Sequence, residues 1–422
     1  MKSKDKVKTA LKHRSPDEIP IDFGGTAVTG IHVLSVARLR EYLGLEQQPV
    51  RVTEPYQMLG EIDEELSEIL GIDTIGLIPK NNMFGFANEN WKECQMPWGQ
   101  VVLVPGDFNT TKTQQGGILM YPEGDTSVSA CAEMPAASYF FDAIIRQDPI
   151  HDDALNPEEN LEEFSLLQEE DLKYWETEIN KYVDSGKALV ATFGGTAFGD
   201  IALVPAMQLR NPRGIRDITE WYMSTITRRD YIHAVFERQC EVGLENLKKI
   251  FKVVGNDIDV VFICGTDFGS QTSQFCSNET YDNLYAPYYK RINDWIHKNT
   301  SWKSFKHSCG AVEPLMNNFI ASGFDIINPV QITAAGMDPT YLKKTYGENI
   351  VFWGGGVDTQ KVLPFGKPEE VTNQVLYLCE IFSKNGGFIF NTIHNIQANI
   401  PVENIIAMFN GVRKFNGQDA IY

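Results

Sequence analysis

Apolar and polar positions alternate along this chain on two scales. Short, almost unbroken apolar runs end at a glycine or a polar loop, and most are followed by a stretch with apolar residues at three-to-four spacing. The runs are 19–23 before Gly24-Gly25, 74–78, 188–193 before Gly194-Gly195, 258–264 before Gly265, 303–310, 325–330, 350–353 before Gly354-Gly355-Gly356, and 387–391. A strand that is apolar on both faces belongs in a parallel sheet covered by helices. The intervening stretches, such as 284–298 and 369–382, carry the helical period. Eight such runs separated by helices predict an α/β fold, a closed (β/α)8 TIM barrel.

The rhythm breaks between the second and third runs. Residues 98–107 and 116–122 have hairpin character, with glycine and proline at the bends. An acidic stretch follows at 152–184. It is read either as a docking surface for a basic partner or, as is commoner, as a solvated helix face. Residues 81–184 are therefore expected to be an inserted β-hairpin and helical cap over the barrel mouth, within one barrel domain spanning 1–422.

Composition narrows the function. The 422 residues are 43% hydrophobic, 22% charged, and carry a formal charge of −19. That balance argues against nucleic acid and anionic membranes, both of which need basic surface. No apolar run approaches a membrane span. Residues 1–5 lack a signal-peptide core, so a cytoplasmic protein is expected. The seven cysteines are scattered and odd in number, which predicts reduced thiols.

Candidate chemistry gathers in Lys303-Ser304-Phe305-Lys306-His307-Ser308-Cys309-Gly310. Residues two apart in a strand share a face, so His307 and Cys309 project together at a strand end, where barrels place working residues. Imidazole and thiol are both zinc ligands. Taken alone, the pair is more often a hydrogen-bonded histidine beside a packed cysteine. Other strand ends supply His394, Asp267, Gln331 and Asp358. If the barrel closes, His307, Cys309 and His394 converge on one point and leave an open position. Asp267 would then be a fourth ligand or orient an imidazole. Alternatively, Asp267 and Asp358 cap the helices that follow them. The three glycines at 354–356 read as a tight turn with close backbone approach. Phe193, Phe268 and Trp353 suit a pocket wall and ordinary barrel packing equally well.

These residues resemble the uroporphyrinogen decarboxylase superfamily, which includes zinc-dependent, cobalamin-linked methyltransferases. The resemblance is densest at His307-Ser308-Cys309-Gly310, Ile327-Asn328-Pro329-Val330-Gln331, 352–360, 390–395 and 401–404. It implies a distorted (β/α)8 barrel. The decarboxylase branch has an arginine-rich loop after the first strand and an aspartate after the second. Here the loop is Gly24-Gly25-Thr26-Ala27-Val28-Thr29-Gly30, Arg38 and Arg40 fall on a predicted helix, and Pro79-Lys80 stands in place of the aspartate. A polyanionic tetrapyrrole finds no basic fork there.

The methyltransferase branch binds zinc through His-x-Cys and a later cysteine. His307 and Cys309 match the first element, and His394 replaces the second. The resemblance thus implies Zn2+ on His307, Cys309 and His394, with Asp267 as the further ligand and Asp267, Gln331 and Asp358 as catalytic candidates. It also implies a small-molecule methyl donor, such as an aromatic methyl ether, and allows a homodimer. The alternative is a methyltransferase of the other class, which passes a methyl group from methylcobalamin to a zinc-bound thiol. No Asp-x-His-x-x-Gly fingerprint occurs, so cobalamin is expected on a separate corrinoid partner protein.

Overall fold

The computed structural model describes residues 1–421. Seven parallel strands form one curled sheet: β1 (Thr74–Leu77), β2 (Ala188–Ala191), β3 (Val260–Cys264), β4 (Lys303–His307), β5 (Ile326–Asn328), β6 (Val351–Trp353) and β7 (Phe388–Ile389). Each is hydrogen-bonded to its successor in this order. The expected first strand is only partly one. Pro20 has no N–H to give a ladder, and Gly24 turns the chain at a φ of 88°. What remains is a parallel bridge between Ile21 and Phe390. Phe390 N–H donates to the Pro20 carbonyl, and Asp73 N–H donates to the Ile21 carbonyl, both at 2.8 Å. The first run therefore lies between β7 and β1 and closes the ring, which gives the barrel its distortion.

Strand alternation sorts side chains into two cores. Ala188, Val190, Val260, Phe305, Ile326, Val351, Trp353 and Ile389 fill the barrel interior, plugged by Val7 and Ala10 of the helix Ser3–Ala10 and by Leu11, which caps it. Most other apolar strand side chains pack outward against the helices. At roughly 25 cal/mol per Å2 of apolar surface, this second and larger layer supplies most of the burial.

The connection between β1 and β2 holds the predicted hairpins. Lys92–Gln95 pairs antiparallel with Val101–Val104 around a turn at Gly99. Thr110–Lys112, Ile118–Met120, Ala132–Met134 and Asp142–Ala143 make a four-stranded antiparallel sheet. The acidic stretch is largely spoken for within the fold. Its helix Glu169–Tyr182 buries Trp175 and Ile179 and leaves its charges outward. Upstream, Glu163 meets buried Arg216 at 2.7 Å, Glu162 meets Arg213 at 2.8 Å, and Asp152 meets Arg228 at 2.6 Å. All seven cysteines are free. Among the described residues, no helix is long and apolar enough to cross a membrane.

Candidate metal centre

His307 ends β4, and its register partner on β5 is Asn328. Neighbours in register on parallel strands point to the same face, so the Asn328 amide lies beside the imidazole. Asn328 Nδ2 donates to the Trp353 carbonyl at 2.8 Å, which turns its Oδ1 toward His307 Nδ1 at 2.6 Å. An amide oxygen only accepts, so Nδ1 carries the ring proton and Nε2 presents a lone pair. That nitrogen faces Cys309 Sγ at 3.4 Å. A third ligand arrives from the loop after β7: the His394 ring lies 5.4 Å from that of His307, at 76°. The ligand atoms of His307, Cys309 and His394 all lie within 4.8 Å of one another.

The electrostatics suit a cation. Burial pushes the pKa of both imidazoles down to about 4, so both are neutral and able to ligate near pH 7. Burial, followed by the charge of Asp267, holds the Cys309 thiol well above its ordinary range. Tetrahedral zinc with nitrogen ligands at about 2.0 Å and sulfur at about 2.3 Å needs ligand atoms roughly 3.3–3.7 Å apart. The His307–Cys309 separation falls in that range, and a modest closing of His394 completes it.

The other predicted residues fall into place separately. Asp267 accepts the Cys309 N–H at 2.6 Å and stands 3.9 Å from His307 Nε2. It is outside the set of three converging ligand atoms and holds the segment that carries one of them. Gln331 accepts the Gly310 N–H at 2.7 Å and donates to Gln271 at 2.9 Å, tying the loops after β3, β4 and β5 together. Asp358 accepts from Gln360 and Lys361 N–H at 2.7 and 3.1 Å, the capping arrangement. At Gly355, φ is 77° and a Cβ would lie 2.8 Å from the Val330 carbonyl, so the tight-turn reading holds. The three aromatic residues are packing groups. Phe193 lies against Trp175 and Trp302, Phe268 under the Lys306 ammonium, and the Trp353 indole on Asp22.

Two participants escape a reading by motif. Asn328 sits in a quoted motif, but its role appears only once strand register is known. Lys306 is wholly buried behind the site. Its Nζ contacts Cys264 Sγ at 3.1 Å and the Thr266 carbonyl at 3.2 Å, and it lies over the rings of Phe268, Phe319, Tyr289 and Phe324. Cation–π contact and carbonyl oxygens replace a counter-ion, and they anchor the residue preceding Asp267.

Comparisons with known proteins bear on the family and the fold. A family model described as uroporphyrinogen decarboxylase (URO-D) matches residues 186–415, more than half of the chain. That span covers all three converging residues and lies beyond the hairpin region. Among curated proteins, none matches. Among solved structures, the chain is similar to a methyltransferase from Methanosarcina mazei. The likeness has 12% identity, covers 98% of this chain and 99% of that one, and has a TM-score of 0.54. It is a likeness of fold. A GH113 beta-1,4-mannanase aligns with 59% of this chain and 80% of its own at 10% identity, and its TM-score of 0.28 carries no argument.

Proposed function

Since the chain belongs to the uroporphyrinogen decarboxylase family, a family of enzymes, we propose that it is a zinc-dependent methyltransferase of that family. In this reading it moves a methyl group from a small O-methylated substrate to cob(I)alamin carried by a separate corrinoid protein. The observation that carries the proposal is the convergence of His307, Cys309 and His394. Likeness in fold to a chain described as a methyltransferase supports the same branch.

The decarboxylase alternative needs cationic side chains free to grip a polyanion. The two arginines nearest the first loop are already engaged. Arg38 Nη1 donates to the Ala398 carbonyl at 2.8 Å. Arg40 is buried, with its guanidinium on the Glu46 carbonyl and on Asp63. Arg40 is thus unavailable to a substrate carboxylate, and the exposed Arg38 alone makes no paired basic fork.

His307, Cys309 and His394 would hold the ion. Bound there, zinc supplies Lewis acidity toward the ether oxygen that must leave. The chain's own residues set the conditions. Asn328 keeps Nε2 of His307 unprotonated, and Asp267 fixes Cys309 through its main-chain N–H. His394 in place of a thiolate donates less negative charge, which favours polarising an ether over stabilising a bound thiolate.

Metal analysis of protein purified without chelators is the direct test. One equivalent of zinc is expected in the wild type, and none in Cys309→Ala or His394→Ala. A metal-free wild type that takes up no zinc on titration overturns the proposal. Methylation of cob(I)alamin from a panel of methoxylated donors, followed spectroscopically, then tests the direction of transfer.

A further inference from the structure

The two imidazoles of the metal centre are held in different ways. His307 is oriented through its ring, by Asn328. His394 meets the His307 ring edge-on, and among the described residues no hydrogen bond reaches either of its ring nitrogens. Its placement therefore depends on its main chain, which is held on both sides. The Thr392 hydroxyl donates to the His394 carbonyl, and the next residue, Asn395, is 1% exposed.

Asn395 uses its carboxamide fully. Its Oδ1 accepts the Gly30 N–H at 2.6 Å, and its Nδ2 donates to the Ala27 carbonyl at 2.9 Å and to Gln57 Oε1 at 2.8 Å. Gln57 Nε2 donates to the same Ala27 carbonyl at 3.0 Å, which closes a ring of bonds. Reversing the Asn395 amide would set its oxygen against the Ala27 carbonyl and its NH2 against the Gly30 N–H, so one orientation is available. Gln57 itself stands on a fixed turn. The Glu54 carboxylate accepts the Tyr56 and Gln57 N–H groups at 3.1 and 2.7 Å. Buried Met58 is held at a φ of 55°, a conformation that side chains disfavour and that persists where the surroundings enforce it.

Joining the first and last loops does not require these side chains, because main-chain bonds already do so. Ile396 N–H donates to the Gly30 carbonyl at 3.0 Å, and His32 N–H to the Ile396 carbonyl at 2.8 Å. What the side chains add is the orientation of the residue that follows His394. We propose that Asn395 and Gln57 are positioning residues for the metal centre: through the main chain at 395 they aim the His394 imidazole at the point where His307 and Cys309 converge. This rests on the reading of those three residues as zinc ligands. It puts one determinant of the centre in the segment before β1, outside the span that the family model matches.

Cobalt(II) replaces zinc in such sites and reports its ligands by colour. Gln57→Leu removes both amide contacts from a half-buried position. It is expected to weaken zinc binding about tenfold, the order found for groups that orient a ligand. At saturating cobalt its visible d–d bands should shift toward those of His394→Ala, with the near-ultraviolet thiolate-to-cobalt band of Cys309 retained. Asn395→Ala should move both readouts further in the same direction. The double variant should go no further than Asn395→Ala, because the two residues act through one contact. Urea midpoints of the metal-free variants control for folding. Wild-type affinity and spectrum in folded Gln57→Leu and Asn395→Ala, whatever their midpoints, reduce the ring of bonds to a staple and overturn the proposal. Weaker binding with an unchanged spectrum, or effects that simply add in the double variant, also overturn it. A wild type that binds neither metal fails the zinc reading as well, whereas insensitive variants of a metal-binding wild type leave that reading standing.

Discussion

At the N-terminal ends of the barrel strands, Asp73, Asp259 and Asp325 each precede a strand. Each accepts a main-chain N–H from the adjoining segment: Ile21 at 2.9 Å, Leu189 at 3.0 Å and Ser304 at 2.9 Å. Each also meets lysine. Lys6 lies 2.7 Å from Asp73, Lys8 and Lys4 lie 3.3 and 3.5 Å from Asp259, and Lys303 lies 2.7 Å from Asp325. At the C-terminal ends, Asp200 and Asp267 also accept main-chain N–H groups, but neither pairs with a lysine or arginine among the described residues. Burial pushes Asp325 upward, yet His297 and Lys303 hold it below the usual carboxylate range, whereas burial carries Asp200 to about 6. One end completes its electrostatics internally and serves the fold. The other is left incomplete, as working sites are.

Four measurements break or sharpen this contrast. The largest effect is expected at the mouth, where His394→Ala should weaken zinc binding by at least about a thousandfold, or roughly 4 kcal/mol. With chelator present, its urea midpoint should match that of the wild type. At the opposite end, Asp259→Ala removes the buried acceptor of the Leu189 N–H and two contacts to part-exposed lysines, and should cost about 1–3 kcal/mol of unfolding free energy. The zinc stoichiometry of the folded fraction should be unchanged. Loss of metal there, or of stability at the mouth, would dissolve the distinction.

Asn328→Leu tests a group that touches both fold and site. Groups that hydrogen-bond and orient a ligating imidazole are worth about 10–100-fold in metal affinity, measurable by competition with a chromophoric chelator. The smallest effect is one of pH. Asp200 titrates higher in the folded state than the ordinary 3.8, so between about 4 and 6 the native state binds the extra proton. Its contribution therefore favours folding at low pH and is lost as pH rises through about 6, by at most about 1.4 kcal/mol per unit. Asp200→Asn should flatten that segment of the stability profile, while Asp325→Asn should lower stability above about pH 4.

Much of the barrel was legible because its signal is local: apolar runs ending in glycine reappear as β1–β7, and the glycines at 354–356 make the turn expected of them. The run containing Pro20 was overread, since apolar content cannot show that one residue lacks the donor a ladder needs. His307 and Cys309 could be paired on paper because two-residue spacing fixes a common face. His394 could be added only by supposing ring closure. Asn328 was invisible as a partner of the site, because its part depends on strand register. Asp358 shows the opposite case: a suggestive strand-end carboxylate whose contacts are the Gln360 and Lys361 N–H groups of the turn that follows.

The Trp353 carbonyl, the Asn328 amide and the His307 ring are linked in series. Neither a peptide carbonyl nor a carboxamide gains or loses a proton in the range where proteins remain folded. The orientation of that nitrogen is therefore buffered against acidity. A carboxylate in the same place would surrender its grip in acid and would lend the ring added basicity above it. Any bell-shaped rate profile this enzyme displays must thus originate in the His307 ring itself or elsewhere in the mouth, because the groups that orient the ring do not titrate.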